Sequence, residues 1–256
     1  MQRILRTIYR EVKNRLFYLG NRRFIHGFYQ ENGYIKTQPF NLNSWHHNLY
    51  LFTAEDGNGD KVFIKLTNLP RILKNENQAY KKLRKDTFLK DHIIDCKAYL
   101  KKNGFKALVL KRSNGIVLND QWALNNLEKL YSLIKIVDGF TQLSLIHRDI
   151  KLDNFIYEDG HIKVFDFSFM IDRSGKAKLK EIDLSVEGNL TKLKTMGIGY
   201  KPESLKWDDY YALHVVFVHL AKNIPSKIPL EKKELLSQYI RECKDKIGTH
   251  CYLVSK

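Results

Sequence analysis

The chain has 256 residues, 43% of them hydrophobic, and a formal net charge of +16 at pH 7. This apolar content is enough for a buried core and argues against disorder of the whole chain, while the positive charge predicts attraction to polyanions or anionic surfaces without choosing between them. The three cysteines are far apart and form no CxxC pair, and no apolar run approaches the roughly 20 residues that span a bilayer. We therefore expect a protein of the reducing cytoplasm.

Residues 1–23 predict a basic amphipathic helix. Leu5, Ile8, Val12 and Leu16 recur close to the helical period, and arginines and a lysine lie between them. Two placements of this helix stay open. It lies on an anionic membrane with the four apolar residues buried, or it packs against the protein with its basic residues in solvent.

The segment 24–112 predicts a small antiparallel sheet lobe. The turn-rich sequence 55–60 predicts a hairpin between two of its strands. The predicted strands cover 34–37, 48–53, 61–66 and 106–110, and a lysine-rich helix covers 73–89.

The segment 113–256, which follows the connector Asn114-Gly115, predicts a helical lobe. Its predicted helices cover 122–143, 207–220 and 229–246, and two short strands at 154–157 and 161–165 flank a turn. Strands before the connector and helices after it predict an α+β chain with two lobes.

Two polar loops at the ends of those short strands carry candidate chemistry. Residues 147–154 read His-Arg-Asp-Ile-Lys-Leu-Asp-Asn, and Asp-Phe-Ser follows at 166–168. Phosphoryl transfer needs a positioned hydroxyl and neutralisation of a triphosphate by metal ions. Asp149 is suited to orient the hydroxyl or accept its proton, and Lys151 to contact the phosphate. Asn154 and Asp166 offer the hard oxygen ligands that Mg²⁺ prefers.

These loops resemble those of the eukaryotic-like serine/threonine protein kinases, whose H-R-D-x-K-x-x-N pattern is matched at every defined position by residues 147–154. The resemblance implies a two-lobed kinase-like fold with ATP and Mg²⁺ as cofactors. It implies that Asp149 is the catalytic base, Lys151 the phosphate contact, and Asn154 and Asp166 the metal ligands.

The same resemblance implies a nucleotide-binding lysine on the third strand. The segment 62–66 is similar to that strand, which makes Lys65 the candidate and Glu76 of the following helix its partner. The alternatives are an edge-strand lysine that discourages aggregation and an ordinary exposed helix charge.

Downstream, Pro202-Glu203 resembles the end of a kinase activation segment, where the family's glutamate closes an ion pair. Asp209 is similar to the family aspartate that braces the catalytic loop; the alternative is a plain carboxylate at a helix N-terminus. Within 166–203 the hydroxyl residues Ser185, Thr191 and Thr195 are candidates for autophosphorylation.

The sequence departs from the kinase pattern in three places. The stretch 38–47 contains no glycine where the family has a glycine-rich phosphate loop, although His46 and His47 there leave a metal site as a remote alternative. Ser168 replaces the glycine of Asp-Phe-Gly. The part after Asp209 is short for a protein kinase, and this matches a distant resemblance to small bacterial kinases that phosphorylate lipopolysaccharide core sugars.

We therefore expect an ATP-dependent phosphotransferase, most specifically a serine/threonine protein kinase. The alternatives are a kinase of a glycan such as a lipopolysaccharide core sugar, and a pseudokinase scaffold. The expected partner is a protein or glycan acceptor, peripheral contact with the anionic inner membrane face stays open, and no specific nucleic acid is expected.

Overall fold

The computed structural model of the protein describes residues 2–42, 45, 49–69, 72–174, 193–195, 197–225 and 229–253. The fold is α+β, with an antiparallel five-stranded sheet and several helices. The chain is divided into two compact units. The sheet unit comprises Met1–Asn77 and Ile94–Ser113, and the helical unit comprises Gln78–Ile93 and Asn114–Lys256.

This division differs from the predicted segments 1–23, 24–112 and 113–256 in two places. The N-terminal helix belongs to the sheet unit, because its aromatic side chains pack on the sheet. Residues 78–93 belong to the helical unit, where Tyr80 packs edge-on against Phe167 at 4.8 Å between ring centroids.

The sheet unit is built on strands in the spatial order β1-β2-β3-β5-β4. The strands are β1 (Ile35–Pro39), β2 (Leu49–Glu55), β3 (Lys61–Thr67), β4 (Cys96–Lys102) and β5 (Phe105–Lys111). The predicted hairpin between β2 and β3 is confirmed, and the Asp56 carboxylate closes its turn by accepting from the backbone N–H groups of Asn58 and Asp60. Strand β4 was not predicted, because most of its side chains are half-buried and it lacks a clear apolar alternation.

The N-terminal helix α1 (Gln2–Glu31) is longer than the predicted 1–23. It continues because Ile25, Phe28 and Tyr29 are buried in the core of the sheet unit. Burial of such side chains contributes about 1.5–3 kcal/mol each. Packing against protein is therefore confirmed, but on a different face from the predicted stripe, since Leu16 is exposed.

Helix α2 (Ile72–Leu83) is shorter than the predicted 73–89. It ends because the Asp86 carboxylate accepts from the backbone N–H groups of Phe88 and Leu89, and a 3-10 turn at Leu89–His92 follows. None of the helices that the structure describes combines the length and the apolar character needed to cross a lipid bilayer.

In the helical unit, the helix predicted at 122–143 is interrupted instead of continuous. Asn119 caps the first piece by accepting from the backbone N–H of Trp122, and the Asn126 side chain donates to the Trp122 carbonyl at the other end. The pieces are α3 (Asp120–Asn125), a 3-10 turn (Leu127–Leu130) and α4 (Tyr131–Gln142).

The predicted helix 207–220 begins two residues later than expected. Trp207 lies in β11 (Lys206–Asp208), which pairs with the C-terminal β12 (Cys251–Leu253). Asp208 caps the helix by accepting from Tyr210 and Tyr211. The remaining elements are β6 (Ile116–Val117), β7 (Leu145–Ile146), β8 (Phe155–Glu158), β9 (His161–Val164), β10 (Ile171–Asp172), α5 (Asp209–Lys222) and α6 (Leu230–Lys246).

Candidate active site

The β8–β9 hairpin brings the two polar loops of the helical unit together. Its register pairs Phe155 with Val164, so that the residues before β8 and after β9 are neighbours. The backbone N–H of Phe165 donates to the Asn154 carbonyl oxygen at 3.1 Å. The hairpin therefore places Asn154 beside the backbone that leads to Asp166, as the sequence predicts.

Asp149, Lys151 and Asn154 form a connected group within one loop. The Asn154 side-chain nitrogen donates to the backbone oxygen of Asp149 at 2.7 Å and to its Oδ2 at 3.0 Å, and Lys151 Nζ lies 3.1 Å from the same Oδ2. Asp149 Oδ1 has no partner among the residues that the structure describes. The carboxylate is thus held through one oxygen, and the other can accept a further hydrogen bond.

The Asp209 carboxylate fixes the backbone of this loop. Its Oδ2 accepts from the backbone N–H of His147 at 2.7 Å and its Oδ1 from that of Arg148 at 3.1 Å. The loop-bracing interpretation of Asp209 is therefore confirmed, and the helix cap is its neighbour Asp208. Burial raises the pKa of the Asp209 carboxyl to about 7, although the two N–H donors favour its charged form.

Arg148 links the first polar loop, residues 147–154, to the second polar loop, residues 166–168. Its φ of 70° is in the left-handed region, which is costly for a non-glycine residue and is typical of functional sites. Its Nε donates to the Phe169 backbone oxygen at 2.6 Å, and its guanidinium carbon lies 5.2 Å from the centroid of the buried Trp207 ring. These contacts fix the backbone on the N-terminal side of Asp149.

Asp166 also has a left-handed backbone, with φ 65° and ψ 64°. The Ser168 hydroxyl donates to Asp166 Oδ1 at 2.7 Å. Phe167 between them is fully buried and packs edge-on against His147, and burial lowers the pKa of that imidazole. The serine that departs from the kinase pattern is therefore a direct partner of the predicted metal ligand.

Lys65 and Glu76 form a buried ion pair inside the sheet unit. Lys65 lies on β3, the central strand of the sheet, and its Nζ donates to Glu76 Oε1 of α2 at 2.8 Å. Both side chains are buried. The edge-strand alternative for Lys65 and the exposed-charge alternative for Glu76 are therefore wrong.

Oxygen ligands for a cation are available on the two polar loops. Across the described ranges, no group of three or more His, Cys, Asp or Glu side chains is arranged to hold a metal ion. A Mg²⁺ ion that stays bound to a nucleotide takes only one or two protein ligands. The Asn154 side-chain oxygen and the Asp166 carboxylate fit that demand, since the Asn154 nitrogen is already used by Asp149.

A cavity of about 400 Å³ adjoins residues 151–153 of the first polar loop within the helical unit. Its lining combines amides, carboxylates, a lysine and a histidine, and His219 Nε2 lies 2.7 Å from an Asp120 carboxylate oxygen. Its polar side chains include Asn119, Asp120, Gln121, Lys151, Asp153 and His219. The cavity was not predicted, because its residues come from segments far apart in the sequence.

Other predicted features have different outcomes. Glu203 pairs locally with Lys206 at 3.2 Å, and its side chain is 66% exposed, so the ion pair is not a buried one.

Trp45, inside the glycine-free stretch, is buried and donates through its ring N–H to the backbone oxygen of Phe40. Thr195 is exposed. His46, His47, Ser185 and Thr191, and the side chains of Leu5 and Ile8, lie outside the described residues.

Two contributors to the site were not predicted in their roles. Asp208 caps α5 and also accepts from the backbone N–H of Gly248 at 2.6 Å, and Trp207 packs under Arg148. The pair Asp208-Asp209 at the start of an apolar segment is the sequence feature that could have indicated one capping and one bracing carboxylate.

Comparison with known proteins found no family model that matches this chain and no similar curated protein.

Proposed function

We propose that the chain is an ATP-dependent phosphotransferase with a two-lobed kinase-like fold, and that its leading acceptors are serine and threonine side chains of proteins. The observation that carries the proposal is the single braced loop on which Asp149, Lys151 and Asn154 contact one another. The hydrogen bonds from the backbone N–H groups of His147 and Arg148 to Asp209 support the proposal, because they fix the loop backbone and so keep its side chains in one geometry.

Asp149 is proposed to receive the acceptor. Its Oδ2 is engaged by Asn154 and Lys151, so Oδ1 is the oxygen that orients the hydroxyl and accepts its proton. Lys151 is 38% exposed at its side chain, which leaves its ammonium able to contact a phosphoryl oxygen as well as Asp149.

ATP with Mg²⁺ supplies the transferable phosphoryl group and a partly neutralised triphosphate. The Asn154 side-chain oxygen and the Asp166 carboxylate are proposed to bind the cation, and Ser168 orients Asp166. Lys65 is proposed to bind the phosphates of the nucleotide, with Glu76 holding its ammonium in position. The proposed base, phosphate contact, metal ligands and nucleotide-binding lysine are all present in the sequence, which favours an active enzyme over a scaffold.

A small polyhydroxylated acceptor, such as a glycan, is a second candidate because of the cavity beside Lys151. Its amide and carboxylate side chains include Asn119, Gln121 and Asp153, and they can donate to and accept from hydroxyl groups. The cavity volume of about 400 Å³ is in the range of small-molecule sites.

Transfer from ATP labelled at the γ-phosphate tests the proposal and separates the two acceptors. The label is offered with Mg²⁺ to a generic protein and, separately, to a lipopolysaccharide or capsular extract. We expect labelled protein with the wild type and labelling at least about a hundredfold slower with Asp149→Asn. Label on saccharide alone would reject the protein-kinase assignment, and label on neither, with no release of phosphate from ATP, would favour the scaffold.

A further inference from the structure

One side of α1 leaves a row of apolar side chains in solvent. Tyr9, Val12, Leu16 and Leu19 are spaced by three or four residues, so they lie on one face of the helix. Their exposed fractions are 72%, 49%, 65% and 64%. We call these four residues the apolar stripe.

The sheet unit does not need the apolar stripe for its core. Phe17, on another face of α1, stacks on Tyr50 with ring centroids 3.6 Å apart and an interplanar angle of 2°. The Asn14 side chain anchors the same region by donating to the backbone oxygens of Leu42 and Trp45. The apolar stripe is therefore left over after the helix has packed on its own unit.

Basic side chains flank the apolar stripe. Between residues 11 and 23 the helix carries Lys13, Arg15, Arg22 and Arg23, and all four are exposed. The one acidic residue in that range, Glu11, is paired with Arg15 at 2.6 Å. An apolar row flanked by cations is complementary to a lipid surface, whose acyl chains are apolar and whose headgroups are anionic.

We infer that α1 docks in the plane of an anionic lipid surface, with the apolar stripe inserted among the acyl chains and the flanking cations at the headgroups. A second copy of the chain is a poorer occupant, because docking two such faces would bring like charges together. Four side chains also offer much less area than the roughly 800 Å² per partner of a stable interface.

Vesicle co-sedimentation of the full chain tests this inference. The wild type should bind vesicles of phosphatidylcholine mixed with phosphatidylglycerol and should not bind vesicles of pure phosphatidylcholine. Its binding to the mixed vesicles should weaken as the salt concentration rises. The double variant Leu16→Gln/Leu19→Gln should bind the mixed vesicles at least about tenfold less well, because two apolar side chains are removed. Arg22→Gln/Arg23→Gln should lower only the preference for the anionic lipid.

Leu230→Gln is the matched control, since Leu230 is 69% exposed on α6 of the helical unit. It should bind like the wild type, and circular dichroism melts should show that all variants remain folded. Equal binding by the Leu16/Leu19 variant, or no wild-type preference for anionic vesicles, would overturn the inference. So would a wild-type dimer in light scattering that this variant converts to a monomer. None of these readouts involves phosphoryl transfer, so the outcome is independent of the proposed function.

Discussion

The Lys65–Glu76 pair of the sheet unit and the Lys151–Asp149 pair of the helical unit differ in how far water reaches them. The side chains of the first pair are 7% and 0% exposed, and those of the second are 38% and 18% exposed. Burying a charge pair costs desolvation that the mutual attraction scarcely offsets, whereas a half-exposed pair changes partners at little cost.

This difference matches the proposed roles. A lysine that binds phosphates must keep one position, and burial against Glu76 fixes it. A lysine that follows a phosphoryl group during transfer must be free to leave Asp149, and partial exposure allows this. In the proposed function, the buried pair positions the phosphates and the exposed pair belongs to the reacting group.

Asp149→Asn should have the largest effect on activity. The amide keeps the shape of the side chain but cannot accept a proton, and general-base catalysis contributes about 10²- to 10⁴-fold. We expect the rate of phosphoryl transfer to fall by that factor while the unfolding free energy changes little, because the pair with Lys151 is half-exposed. Steady-state kinetics and urea denaturation check the two parts. An unchanged rate would remove Asp149 from the proposed role.

Glu76→Ala should have the largest effect on stability. It leaves the Lys65 ammonium buried without its carboxylate, and breaking a buried pair typically lowers the unfolding free energy by about 3–5 kcal/mol. Urea denaturation measures the loss. The double variant Lys65→Met/Glu76→Leu is the control and should recover most of the stability without ATP binding. If the double variant were as unstable as Glu76→Ala, packing rather than charge would explain the loss.

Asp209 predicts a pH dependence of stability. Burial raises its pKa to about 7 in the folded chain, above its value in the unfolded chain, so the folded state holds an extra proton between about pH 4 and 7. The stability contribution of this group is therefore complete below about pH 4 and is lost as pH rises towards 7, by up to roughly 4 kcal/mol.

The measurement is the difference in unfolding free energy between the wild type and Asp209→Asn across that pH range. Subtracting the variant removes the opposite contribution of histidines such as His147, whose pKa is lowered by burial. The wild type should lose its advantage over Asp209→Asn as pH rises. A difference that is constant with pH would show that the carboxyl does not titrate in this window.

Ser168→Ala should have the smallest effect. It removes the hydroxyl that donates to Asp166 Oδ1 at 2.7 Å, and one such hydrogen bond contributes about 0.5–1.5 kcal/mol. We expect the affinity for ATP with Mg²⁺ to fall by about two- to tenfold. Ser168→Thr keeps the hydroxyl and should restore binding in calorimetry. Equal loss in both variants would point to packing of the loop instead.

Much of the site was predictable because its chemistry is local in sequence. Asp149, Lys151 and Asn154 occupy one short segment, and a hairpin turn indicates that Asp166 lies near it. The contact between Lys65 and Glu76 was expected only through the resemblance to kinases. Its burial depends on the packing of α2 on the sheet, which no local pattern specifies.

The sequence-based predictions that differ from the structure also have physical causes. The apolar period of 122–143 continues through the break at Asn126, where side-chain capping overrides periodicity. Trp207 follows the helical pattern but pairs in a strand with residues near the C-terminus. On α1 two faces are apolar, and the sequence does not tell which one the sheet covers; the structure leaves Leu16 of the predicted stripe exposed.

Binding of ATP with Mg²⁺ is the central claim of the proposed function, and a thermal shift measurement tests it most directly. The wild type, Lys65→Met/Glu76→Leu and Asp166→Asn are compared, with ATP and EDTA as the control. We predict that ATP with Mg²⁺ raises the melting temperature of the wild type, and that each variant loses most of this shift. No shift in the wild type, or an equal shift in all three proteins, would contradict the claim.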